Sequence, residues 1–102
     1  MAITKVTGAM LGNYTGGSAD DTVVVGDGAG VAITTGVDNT ILGDSAGAAL
    51  TEGSSNTLIG HLAGDAITTV SFITAVGEKA LSANTTGAKN TAIGRAALQS
   101  TT

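Results

Sequence analysis

Five glycines, Gly26, Gly43, Gly60, Gly77 and Gly94, stand 17 residues apart without an insertion or deletion. Around them the stretches VVVGDGAG, NTILGDSAG, NTLIGHLAG, ITAVGEKAL and NTAIGRAAL align in register. Three residues after each glycine comes Ala29, Ala46, Ala63, Ala80 or Ala97. Eight residues after it comes Thr34, Thr51, Thr68, Thr85 or Thr102. A period this strict limits the chain to architectures that stack one small unit on the next.

Seventeen residues are too few for a two-helix repeat, which needs about 33. Glycine and β-branched residues in every copy also oppose helix. Short apolar, β-favouring runs between turn residues read as strands. The expected fold is all-β: a short β-solenoid whose 17-residue coils each hold two or three short strands. Coils stacked at the usual strand spacing of about 4.8 Å would make five of them roughly 24 Å tall. Gly26, Gly43, Gly60, Gly77 and Gly94 are the expected structural turns. Thr34, Thr51, Thr68, Thr85 and Thr102 would form a ladder along the axis. Composition suits thin layers, because the 42% hydrophobic content includes only two aromatics, Tyr14 and Phe72. Charged residues are 12%, opposite to the signature of a disordered chain.

Two apolar residues precede each glycine, and adjacent strand residues face opposite sides. One member fills the coil and the other forms an outer stripe, a surface that on a folded protein marks an interface. The expected self-association stripe is Val24, Ile41, Leu58, Ala75 and Ala92. An intertwined or side-by-side homotrimer buries one wall per chain and closes on itself; a two-fold dimer is the simpler alternative. The repeats divide the chain into a solenoid at residues 20–102 and a segment at residues 1–19, from Met1 to Ala19, outside the period. Gly12 lies 14 residues before Gly26, out of step. That segment is expected to cap the first coil or attach it to a larger assembly.

NTAIGRAAL, preceded by NTLIG and NTILG, resembles the Asn-Thr-Ala-Ile-Gly-x-x-Ala-Leu repeats of bacteriophage tail-fibre shafts. It is also similar to the Asn-Ser-Val-Ala-Ile-Gly repeats of trimeric autotransporter adhesin heads. The resemblance spans residues 22–102 and is clearest over residues 90–98. The first copy departs from it, with Thr22-Val23 for Asn-Thr and Gly30 where Leu81 and Leu98 stand later. The resemblance implies a trimeric fibre or spike on a particle surface. It also implies virion partners, held here through Met1 to Ala19, and a host surface receptor. The N-terminus MAITKVTGAM lacks the apolar core of an export leader, which favours a virion assembled in the host cytoplasm over an adhesin. A small capsid decoration protein is the alternative, and an ice- or surface-binding solenoid is a third.

Sharper chemistries lack their residues. TVVVGDGAG opens like a phosphate loop, but no Lys lies between Lys5 and Lys79, and the slot recurs four more times. His61 shares a column with Asp27, Asp44, Glu78 and Arg95, as a solvent-facing position would. Asp27 and Asp44 lack the nine-residue Gly-Asp period of calcium-binding repeats. Glu52 interrupts the flat threonine array that ice binding would use. The expectation is therefore no catalytic residue, no metal site, no cofactor and no enzyme. Four scattered Lys and Arg against eight Asp and Glu leave no nucleic-acid footprint. No segment has the roughly 20 apolar residues of a membrane helix.

Overall fold

The computed structural model describes residues 21–100. Five parallel strands, β1 (Val23–Val25), β2 (Thr40–Leu42), β3 (Thr57–Ile59), β4 (Thr74–Val76) and β5 (Thr91–Ile93), pair in the order β1-β2-β3-β4-β5. Every register step is 17 residues: Val24 lies against Ile41, Ile41 against Leu58, Leu58 against Ala75 and Ala75 against Ala92. The chain is thus an all-β solenoid with 17-residue coils, numbered here 1 to 5 after their strands. The 1–19 segment and Thr102 lie outside the described residues.

Each coil holds one three-residue strand rather than two or three. After the strand the backbone folds through two consecutive tight turns. In coil 2 the Ala46 N–H donates to Gly43 O and the Leu50 N–H to Gly47 O, at 3.1 and 3.0 Å. Left-handed residues recur at fixed places in these turns: Ser45, Leu62, Lys79 and Ala96, then Gly47, Gly64, Leu81 and Leu98, with φ between 49° and 60°. Another left-handed residue, Asp21, Asp38, Ser55, Phe72 or Lys89, stands two residues before each strand. So many reversals leave no room for a second extended stretch.

Adjacent coils are hydrogen-bonded around most of their perimeter. Strand entry is tied by bonds such as Thr40 N–H to Asn56 O at 2.8 Å, and strand exit by Gly60 N–H to Leu42 O at 2.8 Å. The turn segment adds Leu62 N–H to Asp44 O and Gly47 N–H to Ala63 O. Backbone polar groups near the core are thereby satisfied by the next coil, as burial requires.

The corner glycines sit where other residues could not. Gly60 has φ of 128°, and a Cβ there would stand 2.6 Å from the backbone carbonyl of Gly77 in the next coil. Both the backbone angle and the close stacking of corner on corner require glycine.

The core is a set of inward columns, with Val24, Ile41, Leu58, Ala75 and Ala92 among them, together with Ala29, Ala46, Ala63, Ala80, Leu50, Ile67 and Leu81. Two buried asparagines form an internal ladder beside the strands. Asn39 Oδ1 accepts from the Asn56 N–H at 3.0 Å, and Asn56 Oδ1 accepts from the Ile73 N–H at 2.9 Å. Their amide groups donate to Gly53 O and Val70 O, at 3.0 and 2.9 Å.

Candidate interaction face

The expected self-association stripe is corrected by this arrangement. Val24, Ile41, Leu58, Ala75 and Ala92 point into their own coil, and Ile41 and Leu58 have no exposed surface. They are the core of one chain and cannot meet a second. The outward strand column is their neighbours: Val25, Leu42, Ile59, Val76 and Ile93. Of these, Leu42 is 46% and Ile93 70% exposed.

Strand parity places a second outward column two residues earlier, at Val23, Thr40, Thr57, Thr74 and Thr91. The strand face therefore presents ten outward side chains, five aliphatic in one column and four threonines with a valine in the other, and none is charged.

Charge gathers at the two corners bordering this face. The corner before the strand carries Asp21, Asp38, Ser55, Phe72 and Lys89; the one after it carries Asp27, Asp44, His61, Glu78 and Arg95. The corner after the strand faces solvent, as its mixed charges imply, and its members also pair between coils. His61 Nε2 lies 3.5 Å from Asp44 Oδ2, and Arg95 Nε donates to Glu78 Oε1 at 3.3 Å. Both pairs are well exposed, and contacts of this kind contribute little in water.

The threonine ladder is hydrogen-bonded on the opposite side of the coil. Thr34 donates to Thr51 O through both its N–H (3.0 Å) and its Oγ1 (3.3 Å). Thr51 repeats the pattern onto Thr68 O at 2.9 and 3.2 Å. With these two hydroxyls turned onto the backbone, Thr34 and Thr51 tie coils 1 to 3 together.

One ionisable group stands apart. Asp65 Oδ1 is a buried side-chain atom without a hydrogen-bond partner among the described residues. Burial pushes its pKa above the ordinary carboxylate value, against a backbone hydrogen bond and the nearby charges of His61 and Lys79, which pull it down. Among the described residues no three His, Cys, Asp or Glu side chains gather to hold a metal ion, and no helix is long and apolar enough to cross a membrane.

Compared with known proteins, the chain matches no family model, no curated sequence and no solved structure.

Sequence reasoning missed the inward asparagines and the direction of the apolar pair. A usable signal was present. Threonine precedes the pair in four of the five copies, and a hydroxyl at that place marks the outward parity shared by the second member of the pair.

Proposed function

We propose that this chain is a structural segment of a bacteriophage virion, a tail-fibre or spike shaft or host-attachment element, in which three copies pack through their strand faces. The observation that carries the reading is the uncharged outward face, with its column Val25, Leu42, Ile59, Val76 and Ile93. Fully burying an exposed aliphatic side chain stabilises by about 1.5–3 kcal/mol; Leu42 and Ile93 are exposed and Val25, Ile59 and Val76 half-buried, so the column supplies a fraction of that per residue toward association. A three-fold ring closes this face against copies of itself and leaves no free apolar wall. The role is mechanical: the hydrogen-bonded coils resist bending along the axis, and association stiffens them further. The NTAIG-type repeats support the virion assignment by resemblance.

Sedimentation equilibrium of the wild-type chain and of Ile59→Asp tests the proposal. The wild type is expected at the trimer mass and the variant at the monomer mass, with its β spectrum retained. A monomeric wild type, or a variant that still forms trimers, would overturn it.

A further inference from the structure

The back wall, opposite the strands, is bonded from coil 1 to coil 2 and from coil 2 to coil 3. The Thr34 and Gly36 N–H groups donate to Thr51 O at 3.0 and 3.1 Å. The Thr51, Glu52 and Gly53 N–H groups donate to Thr68 O at 2.9, 3.3 and 3.4 Å. Between coils 3 and 4 the pattern stops. Among the described residues, no hydrogen bond joins residues 67–70 to residues 84–88. The intercoil bond nearest this gap is also the longest of its series: Ser55 N–H to Val37 O is 3.0 Å, Phe72 N–H to Ser54 O 3.1 Å and Lys89 N–H to Ser71 O 3.4 Å. On the strand side the same two coils stay tightly bonded, with Thr57 N–H to Ile73 O at 2.8 Å and Gly77 N–H to Ile59 O at 2.7 Å.

The split has a cause in the sequence. Gly36, Gly53, Val70 and Gly87 share one column of the back wall. A Cβ on Gly36 would stand 2.3 Å from Gly53 O, and one on Gly53 would stand 2.2 Å from Val70 O. The wall therefore closes only over a residue without a side chain. Val70 has one, and it is buried. Gly87 cannot lie over it as Gly53 lies over Gly36.

Two side-chain ties end at the same level. Ser54 and Ser71 accept from the Val37 and Ser54 N–H groups of the preceding coils at 3.0 and 2.9 Å, whereas the next residue in that column is Ala88, which has no hydroxyl. Ile73 follows Asn39 and Asn56 in theirs, so no amide oxygen there accepts from coil 4. Coil 4 bonds its own wall in their place. The Asn84 side chain donates to Gly87 O at 2.7 Å and accepts from the Gly87 N–H at 3.2 Å.

We propose that Val70 makes a joint of this level: coils 1–3 and coils 4–5 move as two blocks, hinged on the strand sheet, while the back wall opens and closes between Thr68 and Thr85. The inference concerns a single chain and goes beyond the trimer proposed above, on which it does not depend. Segments with few intercoil bonds and solvent-facing backbone are the ones that open locally. Thr68, Thr69, Thr85 and Thr86 are exposed, so water reaches the backbone groups that the gap leaves unpaired. A shaft built this way is stiff within each block and bends at one level, toward its strand face.

Amide hydrogen exchange of the wild-type chain tests the joint. The Gly47 N–H donates to Ala63 O and the Gly64 N–H to Ala80 O, both at 2.9 Å. Residue, place and bond length are the same, and only the second bond crosses from coil 3 to coil 4. The Gly64 N–H is expected to exchange about tenfold or more faster than that of Gly47, while the Gly77 N–H on the strand side stays as protected as that of Gly60. Equal protection of Gly47 and Gly64 would overturn the proposal. So would protection that falls steadily from Gly47 through Gly64 to Leu81, the mark of fraying from coil 5. Val70→Gly removes the wedge and should bring Gly64 exchange toward that of Gly47, even where the unfolding temperature falls. The chain contains no cysteine, so an oxidised Thr68→Cys/Thr85→Cys pair staples the wall directly and should slow Gly64 in the same way. A stapled wall that leaves Gly64 exchange unchanged would also contradict the joint.

Discussion

At the scale of single residues, buried asparagine amides pair backbone groups that the core would otherwise orphan. Asn56 spans two gaps at once, accepting from the Ile73 N–H and donating to Val70 O. Replacing it with leucine orphans both backbone groups, at about 1–3 kcal/mol each. Asn56→Leu should therefore lower stability by about 2–4 kcal/mol in urea unfolding, although it adds apolar volume to a core. Asp65 works in the other direction. Its raised pKa means that the folded chain holds this proton more tightly than the unfolded chain does. Its contribution to stability is complete below the ordinary carboxylate pKa and is lost as pH rises through the raised folded value. Asp65→Asn should be more stable than wild type at neutral pH and no more stable in acid, with a flatter pH profile of unfolding temperature. A mutant that parallels the wild type at every pH would show that the carboxylate is solvated in the folded chain.

At the scale of the coil, each layer conserves its contents while exchanging their positions. Coils 1 to 3 pair a large inward strand residue with a turn glycine: Val24 with Gly30, Ile41 with Gly47, Leu58 with Gly64. Coils 4 and 5 pair Ala75 with Leu81 and Ala92 with Leu98. A Cβ at Gly64 would stand 2.8 Å from Leu58 Cδ2, so leucine and leucine do not fit together. Leu81, over Ala75, is fully buried. Polarity is exchanged in the same manner. Coils 2 and 3 join Asn39 with Leu50 and Asn56 with Ile67, whereas coil 4 joins Ile73 with Asn84. Asn84 satisfies its amide on the backbone of Gly87. Leu58→Ala should cost about 2–5 kcal/mol by leaving a cavity, and Gly64→Leu should cost stability by overpacking. The double variant copies coil 4 and should recover at least about 1 kcal/mol relative to the sum of the single losses. Strict additivity in thermal unfolding would mean that the two positions do not share one space. These exchanges also separate what the sequence could tell from what it could not. The period and the corner glycines were legible because every coil repeats them. The facing of the apolar pair was not, because Ile41 and Leu42 are equally apolar and only their neighbours break the symmetry. Asn39 and Thr40 fix the parity, and Leu81 standing where glycine stood shows which column has room inside.

At the scale of the molecule, the stack separates two tasks. Its interior and its intercoil hydrogen bonds make each chain a folded unit, and its strand face, free of charge, is the surface that the proposed trimer would use. Placing the association stripe one residue out of step reverses both tasks, since an alternating strand exchanges inside for outside at each residue. The neighbours Ile41 and Leu42 therefore test the whole description in one comparison: thermal unfolding, followed by far-ultraviolet circular dichroism, of Ile41→Asp and Leu42→Asp at a dilution where both are monomeric. An unpaired carboxylate in place of Ile41 falls in the dry core and should cost 4 kcal/mol or more, on the order of the stability of a small domain, leaving that chain largely unfolded. The carboxylate of Leu42→Asp points to water, and that chain should melt within a few degrees of the wild-type monomer. A folded Ile41→Asp beside an unfolded Leu42→Asp would mean that the coil is wound the other way out.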